Sequence, residues 1–249
     1  MKIYVISLVD SSRRSVIRLR AAEAGVTINF IDAVEGVGLS EQEIRNVYCD
    51  SACVANHGRS LTRNEIACFL SHLKAWKVIA RGSSSAIILE DDAILASNFR
   101  SAISALELTP NCSDVVILGH SKLEVKREWY HYFKNPLINK RKLFDFYVGN
   151  VHKLWTSGMV GYWLTPDAAE KMLSFNKIIS TVSDNWQHHS SYIAVKEIRP
   201  YVVREDFKHL ASSLEVDRKA ASTYKRRRYL EPARIAIALY RNIVSLLKR

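Results

Sequence analysis

Three consecutive acidic residues, Glu90, Asp91 and Asp92, directly follow a short apolar run in this sequence. The run, residues 86–89, is too short for a core helix and is rich in β-branched side chains, so it predicts a strand buried on both faces of a mostly parallel sheet. Ligands bind at the carboxyl ends of such strands. Adjacent carboxylates repel one another, so the triplet favours a divalent cation, Mg²⁺ or Mn²⁺, that is shared with substrate phosphates. The alternative is a charged strand exit facing water, and the buried strand before it favours the metal.

The three acids are expected to have different roles. Side chains alternate along a strand, so Glu90 and Asp92 point to the same side. We assign Asp92 as the direct metal ligand and Glu90 as a second ligand or a ribose contact. Asp91 points the other way, unless a turn at this position breaks the alternation.

Strand and helix signals alternate around this site. The predicted strands are residues 2–9, 27–31, 86–90, 114–119, 156–164 and 198–203, and the predicted helices are residues 12–24, 62–80 and 98–106 and a helix that starts at 165. A capping box of Thr62 and Glu65 marks one helix start, and Thr165-Pro166 marks another. Residues 40–60 predict short helical pieces, and residues 120–156 lack clean periodicity. The alternation is typical of an α/β layered fold.

Four motifs in a fixed order resemble glycosyltransferase family 25, the lipooligosaccharide galactosyltransferases and their collagen-modifying relatives. They are the opening Ile3–Leu8 with Asp10 and Arg13-Arg14, the segment Phe30–Gly36, the helix Leu61–Trp76 and the strand end Leu89–Asp92. The resemblance continues through Gly158–Leu173 to Asp184 and covers roughly residues 1–205. This sequence departs from the family pattern in having Ser7 for Asn, Glu35 for Asp and Asn64 for the first Gly of the helix motif.

The resemblance implies a GT-A type fold, a Rossmann-like nucleotide-diphospho-sugar transferase domain with a mixed, mostly parallel sheet flanked by helices. It implies transfer of a hexose, most simply galactose from UDP-galactose, with inversion to a β linkage on a lipooligosaccharide or other surface glycan. The implied cofactor is Mn²⁺ or Mg²⁺. The residues assigned to donor binding are Ser7, Leu8, Arg13, Arg14, Ala33, His72, Glu90 and Asp91.

Asp184 is assigned as the catalytic base, because it lies at a loop-to-helix junction and matches an acidic position of the family, whose inverting members need a carboxylate near the acceptor hydroxyl. The alternative is that Asp184 is a helix N-cap. His188 is assigned to the metal shell, or to a phosphate contact, because His is a good ligand as well as an acid–base group. His72 has a substrate-side or structural role, since a lone helical His is more often a packing residue.

Residues 120–156 are rich in aromatic side chains that predict an acceptor wall, because aromatic faces stack on sugar C–H groups. Packing in the core is the equal alternative for each of them. These residues are Trp129, Tyr130, His131, Tyr132, Phe146, Tyr147, His152 and Trp155.

Length and composition indicate an ordinary globular protein. The 249 residues are 48% hydrophobic and 24% charged, and they fit one domain, or one domain with an appendage. The N-terminus shows no signal-peptide pattern, and no apolar stretch approaches the roughly 20 residues that span a bilayer, so we expect a cytoplasmic protein. Cys49, Cys53, Cys68 and Cys112 are expected to be free thiols, although Cys49, Cys53 and His57 have a spacing that could place three zinc ligands on one helix face.

The C-terminal residues 206–249 predict a basic, amphipathic helical tail after a transferase domain of residues 1–205. Of the net charge of +11, residues 204–249 contribute 12 basic minus 5 acidic residues, or +7. The cluster Lys225–Arg228 precedes an apolar stripe at helical spacing, formed by Ile235, Leu239, Ile243 and Leu246 or Leu247. This pattern is typical of a helix on the inner, anionic face of the cytoplasmic membrane. Docking on the domain, or pairing with a second subunit in a homo-oligomer, would use the same stripe.

Two other functions deserve comparison with the transferase. A nucleic-acid-binding protein would use the basic tail and the aromatic segment, but it leaves the acidic strand end unexplained, so we expect no nucleic-acid partner. A metal-dependent phosphohydrolase also places acids after a strand, but Glu90–Ala93 is a poor match to an aspartate nucleophile motif. The expected partners are a UDP-hexose donor, a glycan or glycolipid acceptor and an anionic membrane surface.

Overall fold

The computed structural model describes residues 1–109, 113–151, 157–207 and 231–247, with side chains from residue 235 onwards in the last of these segments. Its strands are β1 Lys2–Ser7, β2 Asn29–Asp32, β3 Ala86–Glu90, β4 Ala93–Leu95, β5 Val115–Ile117, β6 Gly119–His120, β7 Leu137–Leu143, β8 Phe146–Val151, β9 Gly161–Leu164, β10 Val195–Arg199 and β11 Val203–Glu205. Its α-helices are α1 Arg13–Glu23, α2 Glu41–Val47, α3 Asp50–His57, α4 Arg63–Ala80, α5 Phe99–Glu107, α6 Glu128–Lys134, α7 Pro166–Phe175, α8 Trp186–His189 and α9 Glu231–Leu247.

The main sheet has eight strands in the order β2-β1-β3-β9-β5-β10-β8-β7. Strand β1 pairs in parallel with both β2 and β3, so this part has the crossover topology of the expected Rossmann-like fold. The α/β class with a mixed sheet flanked by helices is confirmed. The sheet is less parallel than expected, because β9 runs antiparallel between β3 and β5, and β7 and β8 add an antiparallel hairpin.

Strand β3 is buried on both faces, as the sequence predicted. Ile88 packs with α4 residues such as Trp76 in one core cluster, whereas Ile87 and Leu89 pack in a second cluster with Ile17 of α1 and residues of α5. The two clusters contain residues from opposite faces of the strand, because side chains alternate along it. The strand therefore fixes the acids that follow it within a rigid layer.

A second sheet has three strands in the order β4-β11-β6. Its strand β4 follows the acidic residues directly in the chain. Strand β4 begins at Ala93, and its partner Glu205 on β11 lies opposite that residue. The backbone N–H of Asp206 donates to the carbonyl of Asp92 at 2.9 Å. The small sheet therefore clamps the turn that carries Asp91 and Asp92.

Local signals predicted most helix starts correctly. The capping box of Thr62 and Glu65 is present at the start of α4, and the Thr165 side chain caps α7 with Pro166 behind it. The expected strand 156–164 begins only at Gly161, and the expected strand 198–203 is replaced by β10 and β11 on either side of a cis Arg199-Pro200 bond. Residues 120–151, which show no clean periodicity, include α6 and the β7–β8 hairpin.

Cys49, Cys53 and Cys68 are free thiols, as expected, and Cys112 lies outside the described residues. Within the described parts of the chain, Cys49, Cys53 and His57 do not come together as a metal site. None of the described helices combines the length and apolarity that crossing a membrane requires.

Candidate active site

A cavity of about 550 Å³ opens at the carboxyl ends of β1 and β3. Ile6 lies opposite Glu90 in the parallel register, so Ser7 and Asp91 reach the same sheet edge. The predicted residues that line the cavity are Ser7, Leu8, Arg13, Ala33, His72, Glu90, Asp91, Asp92 and Asp184. Residues from every motif of the sequence analysis thus meet in one space.

Asp91 is anchored by three neighbours. Its Oδ2 accepts from Ser7 Oγ at 2.6 Å and from Ser11 Oγ at 3.3 Å, and its Oδ1 accepts from Arg13 Nη1 at 3.2 Å. Both oxygens are therefore used to tie β3 to β1 and to the start of α1. Asp91 is the least available of the three acids for an incoming ligand, in agreement with its expected weakness as a metal ligand, and its assigned donor contact stays a prediction. Ser7, where the family has Asn, acts here as a hydrogen-bond donor to this acid.

Asp92 has the opposite environment. Strand β3 ends at Glu90, and Asp92 lies buried in the turn that follows, with no hydrogen-bond partner for Oδ1 in the described structure. Burial, together with the negative charges of Glu90, Glu205 and Asp91, raises the pKa of Asp92 to about 8, although the positive charge of Arg13 opposes this rise. A buried carboxyl of this kind must hold either a proton or a cation.

The donor set around Asp92 fits a hard divalent cation. Glu90, Asp92 and Glu205 all line the cavity, and carboxylate oxygens are the ligands that Mg²⁺ and Mn²⁺ prefer. A mixed set is also present, because ligand atoms of Cys68, His72 and Glu90 lie within 4.8 Å of one another. That set, the one group of three such residues whose ligand atoms converge within the described parts of the chain, includes a buried imidazole with a partner of its own, whereas Asp92 offers an unpartnered oxygen.

His72 is a buried packing and orienting residue. Burial lowers the pKa of His72 to about 4, so the ring is neutral at physiological pH. Trp76 Nε1 donates to the Tyr162 hydroxyl oxygen at 2.8 Å. The Tyr162 hydroxyl can then donate its own proton to His72 Nδ1 at 2.9 Å. On this assignment His72 carries its own proton on Nε2, which lies 3.6 Å from Glu90 Oε1. The hydrogen bonds from Trp76 through Tyr162 therefore orient the ring of His72 beside Glu90.

Asp184 also lines the cavity and is not a helix cap. The cap of α8 is Asn185, whose side chain accepts from the backbone N–H of His188 at 3.1 Å. Asp184 Oδ2 instead accepts from the backbone N–H of Gly158 at 2.7 Å. The N-cap alternative is therefore wrong, and a carboxylate oriented by one backbone donor lies in the same cavity as the acids after β3.

Gly158 is required for this part of the cavity because it has φ of +83°, and a Cβ built on it would overlap the side chain of Ser121. Gly158→Ala is expected to destabilise the protein by about 1–3 kcal/mol and to lower transfer activity. Adding Ser121→Gly to this variant removes the overlap but not the backbone strain. The double variant should therefore recover part of the lost free energy of unfolding, measured by chemical denaturation, and part of the lost kcat/KM. Equal stabilities of the wild type and Gly158→Ala would show that the loop adapts freely.

Two predicted site residues lie away from the cavity. Arg14 donates to the carbonyl of Ser7 at 2.9 Å, pairs with Asp32 at 2.5 Å and stacks over Phe30, so it braces β1 and β2. His188 is not part of the cavity lining, and its ring packs near those of His189 and Tyr192. The structure does not bring His188 to the acids, because α8 directs it towards this aromatic group.

The predicted acceptor wall is not formed by the described aromatic residues. Phe146 is in the core, His131 and Tyr132 cluster with Tyr201, and Trp129 is 70% exposed. Tyr130 and Tyr147 also do not line the cavity, and His152 and Trp155 lie outside the described residues. Packing in the core, the stated alternative, holds for Phe146, whereas Trp129 and Tyr147 are exposed.

Glu205, Ser121 and Lys122 also line the cavity but were not predicted from the sequence. Glu205 Oε2 accepts from the backbone N–H of Lys122 at 3.0 Å, and this bond joins the end of β11 to the segment after β6. No local signal marked Glu205, because it lies beyond the last predicted strand and belongs to the small sheet, not to the sheet that carries the triplet.

The raised pKa of Asp92 predicts how stability changes with pH. Between pH 4 and 8 the unfolded chain carries an ionised Asp92 and the folded chain a protonated one, so this residue's contribution to the free energy of unfolding falls as pH rises. In chelator, Asp92→Asn should raise Tm at pH 8 by on the order of 5 °C, with the gain shrinking towards pH 5. Excess Mn²⁺ should raise Tm of the wild type alone. A Tm gain of the same size at pH 5 and pH 8 would contradict this account.

Comparisons with known proteins agree with the geometry. A family model described as glycosyltransferase family 25 (LPS biosynthesis protein) matches residues 1–186. Procollagen galactosyltransferase 1-B of Xenopus laevis is 25% identical over 211 residues, which are 77% of this chain and 32% of that protein. Inactive glycosyltransferase 25 family member 3 of Homo sapiens is 32% identical over 136 residues, which are 51% of this chain and 23% of that protein. The chain thus spans about a quarter to a third of the length of these relatives.

Solved structures give weaker likenesses. The galactosyltransferase LgtC, in complex with donor and acceptor sugar analogues, is 12% identical with a TM-score of 0.37, covering 93% of this chain and 99% of that one. A glucose-1-phosphate thymidylyltransferase from Bacillus anthracis is 11% identical with a TM-score of 0.36, covering 90% of this chain and 78% of that one. These scores are too low to bear on function.

Proposed function

The chain belongs to glycosyltransferase family 25, and we propose that it transfers galactose from UDP-galactose, with inversion to a β linkage, onto a lipooligosaccharide or another surface glycan. The observation that carries this proposal is Asp92, a buried carboxylate with an unpartnered oxygen beside Glu90 and Glu205 in a cavity of about 550 Å³. Such a site is suited to a divalent cation together with a diphosphate.

Family membership alone does not decide activity, because some relatives are named galactosyltransferases and others are named inactive. What supports activity in this chain is the cavity itself. It brings together the three acids Glu90, Asp91 and Asp92 and a further carboxylate, Asp184, from another part of the chain. A chain that had lost catalysis would have no need to keep Asp92 buried and unpartnered, since an uncompensated buried carboxyl opposes folding.

The donor would lie along the edge of β1 and β3. Ser7, Leu8 and Ala33 form the part of the wall where the nucleoside fits, and the diphosphate would lie against Asp92 and Glu90. A divalent cation held by Asp92 and Glu90 would neutralise the negative charge that develops on the departing diphosphate. Arg13, which bonds to Asp91 and lies 3.8 Å from Asp92 Oδ2, adds a fixed positive charge to the same end of the site.

The acceptor hydroxyl would lose its proton to Asp184. Its oxygen then forms a bond to the anomeric carbon of the donor as the bond from that carbon to the diphosphate oxygen breaks, and UDP leaves with the electron pair. The hydrogen bond from Gly158 holds Asp184 Oδ2, so the carboxylate is positioned before the acceptor arrives. Inversion would follow from attack on the side of the anomeric carbon opposite the departing diphosphate.

The acceptor would approach through a second cavity of about 370 Å³ that includes Leu123, Val125 and Arg204. It adjoins the first, because Glu205 lines both. We place the protein in the cytoplasm, at the inner face of the cytoplasmic membrane, where a nucleotide sugar and a lipid-linked acceptor would meet.

A panel of UDP-sugars with Mn²⁺ tests the proposal, with release of UDP and transfer to lipooligosaccharide acceptors as the two readouts. We expect UDP-galactose to be used in preference to UDP-glucose and UDP-N-acetylglucosamine. We also expect UDP with Mn²⁺ to raise Tm and oligonucleotides to leave it unchanged. Transfer of a different hexose would change the proposed donor sugar and leave the proposed reaction, glycosyl transfer, in place. Stabilisation by oligonucleotides and none by any UDP-sugar would overturn the proposed function.

A further inference from the structure

Helix α9 packs on the domain through its polar face. Ala238 and Ser245 are buried, and Ser245 Oγ donates to the carbonyl of Leu137 at 2.5 Å. Asn242 Nδ2 donates to the carbonyl of Phe133 at 2.7 Å, and Arg241 Nη1 donates to that of Lys134 at 3.2 Å. These side chains satisfy carbonyls at the end of α6 and the start of β7, which lack helical partners.

The opposite side of α9, which we call the outer face, is apolar and exposed. Its side chains are between 43% and 80% exposed: Ile235, Ile237, Leu239, Tyr240, Ile243, Leu246 and Leu247. Among the described side chains of this helix, residues 235–247, the only charged one is Arg241, and it turns towards the domain. A helix on a water-exposed surface has the reverse arrangement, with the apolar side inward. A contiguous apolar face of this size marks an interaction surface.

Positive charge surrounds the place where α9 is docked. Strand β7 carries Lys140, Arg141 and Lys142 in succession, all exposed, and the sequence from Trp129 to Phe144 contains no acidic residue. Trp129 on α6 and Phe144 after β7 are 70% and 62% exposed. Exposed aromatic and basic residues beside an apolar helix face are the features that position a helix at an anionic bilayer surface.

A second copy of this chain fits the outer face less well. A two-fold interface brings the same patch from each subunit together, so the basic strand β7 would be placed near its own copy and repel it. An anionic lipid surface instead attracts these cations while it receives the apolar side chains. We propose that α9 is an interfacial membrane anchor, with its outer face inserted among the acyl chains and headgroups of an anionic bilayer. The anchor lies outside residues 1–186 that the family model matches.

Co-sedimentation of the full chain with vesicles tests the anchor. Vesicles of phosphatidylcholine with 30–40% phosphatidylglycerol, roughly the fraction that gives a strongly anionic surface, are compared with pure phosphatidylcholine. The intact protein should bind the anionic vesicles and be released at high salt, because screening at a Debye length of about 8–10 Å already limits the attraction at 0.1–0.15 M. Leu239→Gln with Ile243→Gln should weaken partitioning by on the order of tenfold or more.

Matched variants separate the anchor from general surface effects. Leu19→Gln with Ile178→Gln changes two exposed apolar residues on other elements and should leave binding unchanged. Replacing Lys140, Arg141 and Lys142 by Gln should remove the preference for anionic lipid, whereas replacing the exposed Lys77, Arg81 and Lys177 by Gln should have a smaller effect. Transfer to a soluble acceptor should be the same in all four variants, so failure of the anchor is distinguishable from failure of the proposed function.

Two results would overturn the proposal. One is an intact protein that stays in solution with anionic vesicles. The other is a stable dimer in light scattering that becomes monomeric in Leu239→Gln with Ile243→Gln, because the outer face would then be covered by a second copy.

Discussion

Replacing Asp92 by Asn is expected to lower kcat/KM for hexose transfer by on the order of 10³-fold. The substitution keeps the size of the side chain and one oxygen, but it removes the charge that would bind a divalent cation. Because the cation neutralises a leaving diphosphate, its loss should appear in kcat and in donor binding together. The wild type in excess chelator should show the same loss and recover when Mn²⁺ is restored, whereas the variant should not recover.

Asp145→Asn is the matched control, because it makes the same chemical change at an exposed residue between β7 and β8. It should retain full activity. Full activity of the wild type in excess chelator would show that transfer is independent of a metal, and Asp92 would then act as a neutral, protonated group. A loss that is confined to kcat, with UDP binding and its Mn²⁺ dependence intact, would move Asp92 from the metal to the reacting centre.

The fold around the acids was predictable because its signals are local. Apolar residues 86–89 can be satisfied only by a strand with cover on both faces, and Thr62 with Glu65 starts a helix through its own hydrogen bonds. Each of these predictions depends on neighbours a few residues apart in sequence. The predicted strands also indicate which edge of the sheet carries the site, since the carboxyl ends of parallel strands lie at the same edge.

The parts that sequence could not give depend on distant partners. Glu205 reaches the cavity only because β11 pairs with β4, and no local pattern encodes that pairing. Asp91 is held by Ser7 from another strand, so its role became clear only from the register of β1 and β3. The β7–β8 hairpin was missed because exposed Lys140–Lys142 and a register shift after Ile138 hide the alternation of its edge strand.

The side of helix α9 that packs on the domain could not be predicted from the sequence either. Its apolar stripe was readable from spacing alone, but the stripe does not say which side of the helix meets the domain. That choice is made by Asn242, Ser245 and Arg241, which find backbone carbonyls of α6 and β7. The polar contacts of a docked helix depend on unsatisfied groups elsewhere in the fold, and these are visible only in the structure.

Asp184→Asn is the second change with a large expected effect, a fall in kcat of on the order of 10²–10⁴-fold with nearly unchanged affinity for UDP. The amide oxygen of Asn can still accept the hydrogen bond from Gly158, so the wall of the cavity should keep its shape. What is lost is the basic oxygen that takes the proton of the acceptor hydroxyl. Removing a base raises the barrier to transfer and leaves the free energy of donor binding the same.

Two measurements separate this role from a structural one. Isothermal titration with UDP and Mn²⁺ should give equal affinities for the wild type and the variant, and the fall in transfer should be confined to kcat. Asp167→Asn, at an exposed residue in the first turn of α7, should change neither quantity. If Asp184→Asn instead loses UDP binding, Asp184 belongs to the donor side of the cavity. The proton of the acceptor must then go to another group, and Glu205, which lines both cavities, becomes the candidate base.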